Sequence, residues 1–156
     1  MNKKILLALS VVLIAIASVG TVSAFELPDL GSLFGGPADQ HITIDGENFT
    51  IPGTLKENVA NSKNGTVSDY LVFNCTEYAK QYTNDTNYIN ITIYELNSAV
   101  GDSLTDFTNG TAKEISGVKG YLYHDDETGY SYTFDKGNKV ITIQSNDEKL
   151  IPPVIA

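Results

Sequence analysis

Few side chains in this sequence are equipped for chemistry. There is one cysteine, Cys75, and there are two histidines, His41 and His124; arginine and tryptophan are absent. A thiol and an imidazole can form a nucleophile and its base when the fold brings them together. Cys75, however, alternates with Leu71 and Phe73, and that pattern reads as a small buried apolar residue. No HExxH, CxxC or GxSxG motif occurs, so neither a zinc site nor a serine nucleophile elbow is marked. A Ser-His-Asp triad carries no signature in the chain, since its members are distant in sequence. His124-Asp125-Asp126-Glu127 gathers three acids in one loop. Calcium favours clustered carboxylates, yet this spacing matches no calcium loop and reads as a solvated acidic turn. We therefore expect no catalytic residue, metal or cofactor.

Two further patterns stand out. Asn-x-Ser/Thr triplets begin at Asn48, Asn64, Asn74, Asn84, Asn90 and Asn109. Twelve asparagines after residue 24, with Ser and Thr at about one position in six, would give about two such triplets by chance. Asn48, Asn74 and Asn90 alternate with apolar neighbours, and the other three fall in turns, so all six are expected at the surface, where a glycan must sit. The plain alternative is that polar strand faces and turns, both rich in Asn, produce triplets without sugar. The second pattern is Tyr121, Tyr123, Tyr130 and Tyr132 on two strands joined by the 124–129 turn. Such tyrosines form a carbohydrate-binding ladder or pack on one another, and packing is the commoner outcome.

The elements that must carry these residues begin after an export signal. Lys3 and Lys4 precede an uncharged apolar run from Ile5 to Val19, and Val22-Ser23-Ala24 fits the rule for signal cleavage. Residues 1–24 read as a signal peptide, with an uncleaved membrane anchor as the alternative. Export places the protein outside the cell or on its surface. Without this segment eight lysines face nineteen acids, a net charge of −11. That field repels phosphate backbones and anionic bilayers, which excludes nucleic acid as a partner and leaves the N-terminal segment as the one route to a membrane. The partner is then unknown, a cell-surface protein or a glycan. A single cysteine cannot staple the fold, which must stand on its core.

Residues 25–40 read as a flexible spacer broken by Pro28, Gly31 and Gly35-Gly36-Pro37. Residues 41–156 form one domain. Ile42/Ile44 and Phe49/Ile51 flank Asp45-Gly46 as a hairpin. Thr54 and Glu57 fit a capping box for a short helix over 55–62. A strand runs from Tyr70 to Tyr78. Tyr88 to Tyr94 returns with Ile89, Ile91 and Ile93 on one face. Val100, Leu104 and Phe107 are spaced for a helix that Asn109-Gly110 stops. Strands follow at 112–115, 121–124, 130–135 and 139–144. A closing helix over 145–151 is ended by Pro152 and Pro153. The sum is α+β: a mainly antiparallel sheet of about six strands with one or two covering helices.

The FTIPG run, the GVKGYLY run and the GNKVITIQSNDEKLI ending resemble small exported proteins of methanogenic archaea. The element order from 41 to 151 also resembles PsbP-like lumen proteins, which carry an early strand end of the type F-x-x-P-x-G, a late Gly-Lys strand and a closing helix. Phe49 and Pro52 match, Gly53 sits one place early and no tryptophan follows; Gly137, Lys139 and Val140 match the later strand. The resemblance implies a PsbP-like sandwich acting as an accessory or assembly protein. The expected function is a non-catalytic, acidic, extracytoplasmic binding protein bearing N-glycans. The alternatives are a secreted hydrolase with an unmarked active site and a carbohydrate-binding module using the tyrosines.

Overall fold

The computed structural model describes residues 36–71, 73–97 and 109–155. The expected export signal, most of the expected spacer and the helix expected around Val100, Leu104 and Phe107 lie outside the described residues. No helix among them is long and apolar enough to cross a membrane.

Ten strands run in the order β1 (Gln40–Ile44), β2 (Glu47–Ile51), β3 (Lys56–Glu57), β4 (Lys63–Tyr70), β5 (Phe73–Thr83), β6 (Tyr88–Leu96), β7 (Thr111–Ile115), β8 (Val118–Asp125), β9 (Gly129–Lys136) and β10 (Lys139–Ser145). Among the described residues one short α-helix, α1 (Ile151–Val154), follows. The fold is thus a sheet-dominated α+β, with more strands than the sequence suggests and little helix among the described residues. Strands β3-β5-β6-β10-β9-β8-β7 lie side by side, and β4 adds to the free length of β5, making an eight-stranded sheet. All its pairings are antiparallel. The β1–β2 hairpin forms a separate two-stranded sheet.

The hairpin turns as its residues require. Asp45 and Gly46 both have positive φ, 46° and 77°, the conformation of a two-residue turn that matches strand twist. Ile44, Phe49 and Ile51 then face one way and join the main core. Ile89, Ile91 and Ile93 supply its centre from β6, fully buried, with Ile141 and Ile143 beside them on β10. Each such side chain contributes about 1.5–3 kcal/mol by leaving water. Leu55, Ile151 and Val154 complete the layer that covers this face. A smaller cluster of Cys75, Leu96 and Val140, with Tyr70, Tyr94 and Tyr121 against it, occupies the opposite face at one end.

Three expectations need correction. No α-helix covers 55–62: β3 and one 3-10 turn (Val59–Asn61) stand there, because Asn58 and Asn61 donate their amides to Gln81 Oε1 at 2.8 and 2.6 Å and peg the segment along β5. Leu55 is buried, whereas Val59, four residues on, is 73% exposed. The strand expected from Tyr70 to Tyr78 is present from Phe73 onward as part of β5, but it starts later than expected: Tyr70 ends β4, and Leu71, at φ 58°, lies in the turn between β4 and β5. Leu71 and Phe73 are consequently exposed, and Cys75 alone of that trio is buried. Finally, Pro152 and Pro153 begin α1 rather than ending a helix. Amides of a helix's first turn have no partner within the helix, so proline costs nothing there. The preceding turn is capped by Asp147, which accepts from the Lys149 amide at 3.0 Å.

A charge cluster fastens the hairpin tip to the sheet. Lys139 Nζ lies 2.9 Å from Asp45 Oδ2 and 3.6 Å from Glu47 Oε1, and it also donates to the Asp45 carbonyl. Asp45 Oδ2 is buried without a well-aligned hydrogen bond, so its contact with Lys139 is ionic. Burial alone would lower the Lys139 pKa, but hydrogen bonding to Asp45 and the charges of Asp45, Glu47 and Glu95 outweigh it and hold the ammonium above its ordinary value. Lys136 reaches the other Glu47 oxygen at 2.6 Å from a much more exposed position.

Candidate functional site

The candidate surface is built from the sequon asparagines. Asn48 stands on the outer side of β2, exposed, and its oxygen accepts from Thr43 Oγ1 at 2.9 Å. Thr50, the hydroxyl of the same triplet, contacts His41 Nδ1 at 3.2 Å. Asn64 is exposed in β4, directly before Gly65, whose φ of 71° marks a break in the β4–β5 register. Asn74 is exposed at the start of β5. It lies on the same side of β5 as Tyr78 and Tyr82, beyond the end of the core, while Cys75 faces the smaller cluster. Asn84 is exposed in the β5–β6 turn, where its oxygen accepts the amides of Thr86 and Asn87 at 2.9 and 2.8 Å. Asn109 is exposed just before β7.

Asn90 differs. It sits in β6, within the sheet, and is only partly exposed. Gln81 Nε2 donates to its oxygen at 2.9 Å, and its nitrogen donates to Gln144 Oε1 at 3.3 Å. With Asn58 and Asn61 bonded to Gln81, and Gln144 Nε2 bonded to the Thr128 carbonyl, this is an amide row across three strands, β5, β6 and β10. Sequence reading missed it. Each member sits at an alternating position, but only the pairing order β5-β6-β10 places them in line.

The four tyrosines do not share a face. Tyr121 pairs with Thr133 and Tyr123 with Ser131, whereas Tyr132 pairs with Leu122 and Tyr130 with His124. Tyr132 is fully buried and donates its hydroxyl to the Val118 carbonyl at 2.7 Å. Its ring fits because position 120 is glycine; a Cβ there would come within 2.8 Å of the ring. Tyr130 packs against the core and stacks on His124 at 4.3 Å. Tyr121 belongs to the smaller cluster, and Tyr123 alone of the four is 42% exposed. A continuous ladder is not assembled.

His41 and His124 lie on different sheets, and Cys75 is buried with its thiol donating to the Ser68 carbonyl at 3.4 Å. Burial, with Glu77 and Asp69 nearby, pushes that thiol up, away from a reactive thiolate. In the acidic loop Asp125 Oδ1 accepts the amides of Thr128 and Glu127, both at 2.9 Å, and these bonds hold its carboxyl below the usual range. The loop is therefore a self-satisfied turn. Among the described residues no three His, Cys, Asp or Glu side chains converge for a metal.

One open groove of about 390 Å³ lies between β1 and the β3–β4–β5 edge, lined by Asp45, Glu57, Lys63, Asn64 and Lys80 among others. Lys80 pairs with Glu57 at 3.0 Å and Lys63 with Glu77 at 2.9 Å, so its charges are matched in pairs. Its walls can offer hydrogen bonds to a polar, uncharged partner. Comparison with family models, with curated proteins and with solved structures finds no match to this chain.

Proposed function

We propose that this chain is an exported, non-catalytic accessory or binding protein of the cell surface or extracellular space, dressed with N-linked sugars. The carrying observation is that five of its six sequon asparagines, Asn48, Asn64, Asn74, Asn84 and Asn109, are exposed on the folded domain. Exposure is what a glycan needs, and the six triplets outnumber chance about threefold. The net negative charge keeps such a domain soluble and away from nucleic acid. The matched ion pairs of the β1–β4 groove suit contact with a neutral polar partner, a glycan or a protein loop, better than a charged substrate. Kinship with small exported archaeal proteins, and a PsbP-like sandwich, belong to the same proposal; a large antiparallel sheet covered by a hairpin and a closing helix supports them.

The test is intact-mass analysis of the protein recovered from its native cells. The expected chain starts at Phe25 and is heavier than its sequence mass by whole sugar residues. A chain beginning at Met1 with its unmodified mass would overturn the reading.

A further inference from the structure

Among the described residues both lateral edges of the eight-stranded sheet are open: β4 pairs only with β5, and β7 only with β8. An open edge presents unpaired amides and carbonyls that invite another strand. β4 is the more inviting. It has 8 residues and no proline, its first five residues are exposed, and Val67 is 85% exposed. A sequon stands at each edge. Asn64 lies in β4, and Asn109 lies two positions before Thr111, where β7 begins. The central-strand sequon, Asn90, instead has its amide held at both ends.

We infer that glycans on Asn64 and Asn109 cap the two edges of the sheet, and that the partner they exclude is a second copy of this chain pairing along β4. This inference rests on the N-glycosylation reading. The donor is a lipid-phosphate-linked oligosaccharide: the asparagine Nδ2 bonds to the sugar's C1, the C1–O bond to phosphate breaks, the lipid phosphate leaves and the amide gives up one proton to a base of the transferase. The second copy is favoured by β4 itself. An antiparallel pairing of β4 with β4 about a two-fold axis at Thr66 brings Lys63 of each copy, which also holds Glu77, toward Asp69 of the other, and sets the exposed Val67 opposite Gly65 of the other copy. The Gly65 bulge weakens this edge without closing it. A sugar on Asn64 projects from the sheet face beside the β1 hairpin, next to the edge, and crowds the approach of a strand that would lie about 4.8 Å away.

Sedimentation of the protein from a glycosylating host, with the mass of each variant checked, tests this. The native protein should remain a monomer. Asn64→Gln should self-associate, roughly doubling the molar mass. Adding Val67→Lys to Asn64→Gln should restore the monomer, since an edge lysine opposes pairing. Asn48→Gln, on the separate two-stranded sheet, should stay monomeric. Asn64→Gln with Asn109→Gln opens both edges and should form larger assemblies. A glycan present on Asn64 whose loss leaves the protein monomeric at all concentrations overturns the capping role alone. Absence of sugar from all six sites overturns the glycosylation reading with it. Association that survives Val67→Lys overturns β4 as the surface.

Discussion

Lys139→Met should lower the unfolding free energy by about 3–5 kcal/mol, the cost of removing one member of a buried charge group. The reason is geometric. Asp45 and Glu47 come from the hairpin, Lys139 from the sheet, and all three side chains are less than one-fifth exposed. Without the ammonium Glu47 keeps Lys136, but Asp45 remains in a poorly solvated seam between the layers, and its Oδ2 has no hydrogen bond to replace the ionic contact. A domain whose whole stability falls in the usual range of about 5–15 kcal/mol would lose a large part of it. Lys136→Met is the control. Its side chain is 67% exposed although it contacts the same Glu47, so it should cost under about 1 kcal/mol. Urea unfolding of the two variants measures both. Equal, small losses would mean that the hairpin is not fastened by this cluster. Asp45→Asn combined with Lys139→Met should recover part of the loss, since it removes one stranded charge.

The domain should also be alkali-labile. Tyr82 is almost fully buried, and burial, aided by Glu57, pushes its phenol up to about 12. Burial likewise raises Tyr132, Tyr94 and Tyr70. In the unfolded chain these phenols ionise near pH 10. Above that pH the unfolded state releases protons that the folded state still holds, so stability falls as pH rises, by up to about 1.4 kcal/mol per pH unit for each such tyrosine. Lys139 acts in the same direction: its folded pKa is raised, so its contribution is complete below its unfolded value and is lost as pH climbs through the folded one. The melting temperature should therefore be flat from about pH 7 to 9 and fall steeply between about 10 and 12. Tyr82→Phe should make the alkaline slope shallower. A melting temperature unchanged up to about pH 12 would contradict the burial of these phenols.

What the sequence made legible follows periodicity of two. Asp45-Gly46 between alternating isoleucines announced β1 and β2, and Ile89, Ile91 and Ile93 announced β6 and its inward face. The elements missed are those without a buried side of their own. β4 reads KNGTVSDY and is exposed over most of its length, so it has no apolar alternation to find; it is a strand because β5 offers it a hydrogen-bonding edge. The tyrosine ladder failed on register. The turn at 126–128 pairs Asp125 with Gly129, which sets Tyr130 against His124 and Tyr132 against Leu122. A shift of one position would have put all four rings together, but the turn sets the register: the Asp125 carboxyl accepts the amides of Glu127 and Thr128, and Gly129 takes φ 77°. The sequons were legible as exposed, with Asn90 the partial exception, because its partners Gln81 and Gln144 come from strands whose neighbourhood is decided by the whole sheet.

Site-by-site glycopeptide mapping of the natively expressed protein bears most directly on the idea that the sequons are a solvent-facing, sugar-bearing surface. Sugar should occupy Asn48, Asn64, Asn74, Asn84 and Asn109 to a substantial degree, and Asn90, whose amide is tied into the Gln81–Gln144 row, should be the least occupied. A map with all six asparagines bare, or with Asn90 the most heavily modified, would contradict it.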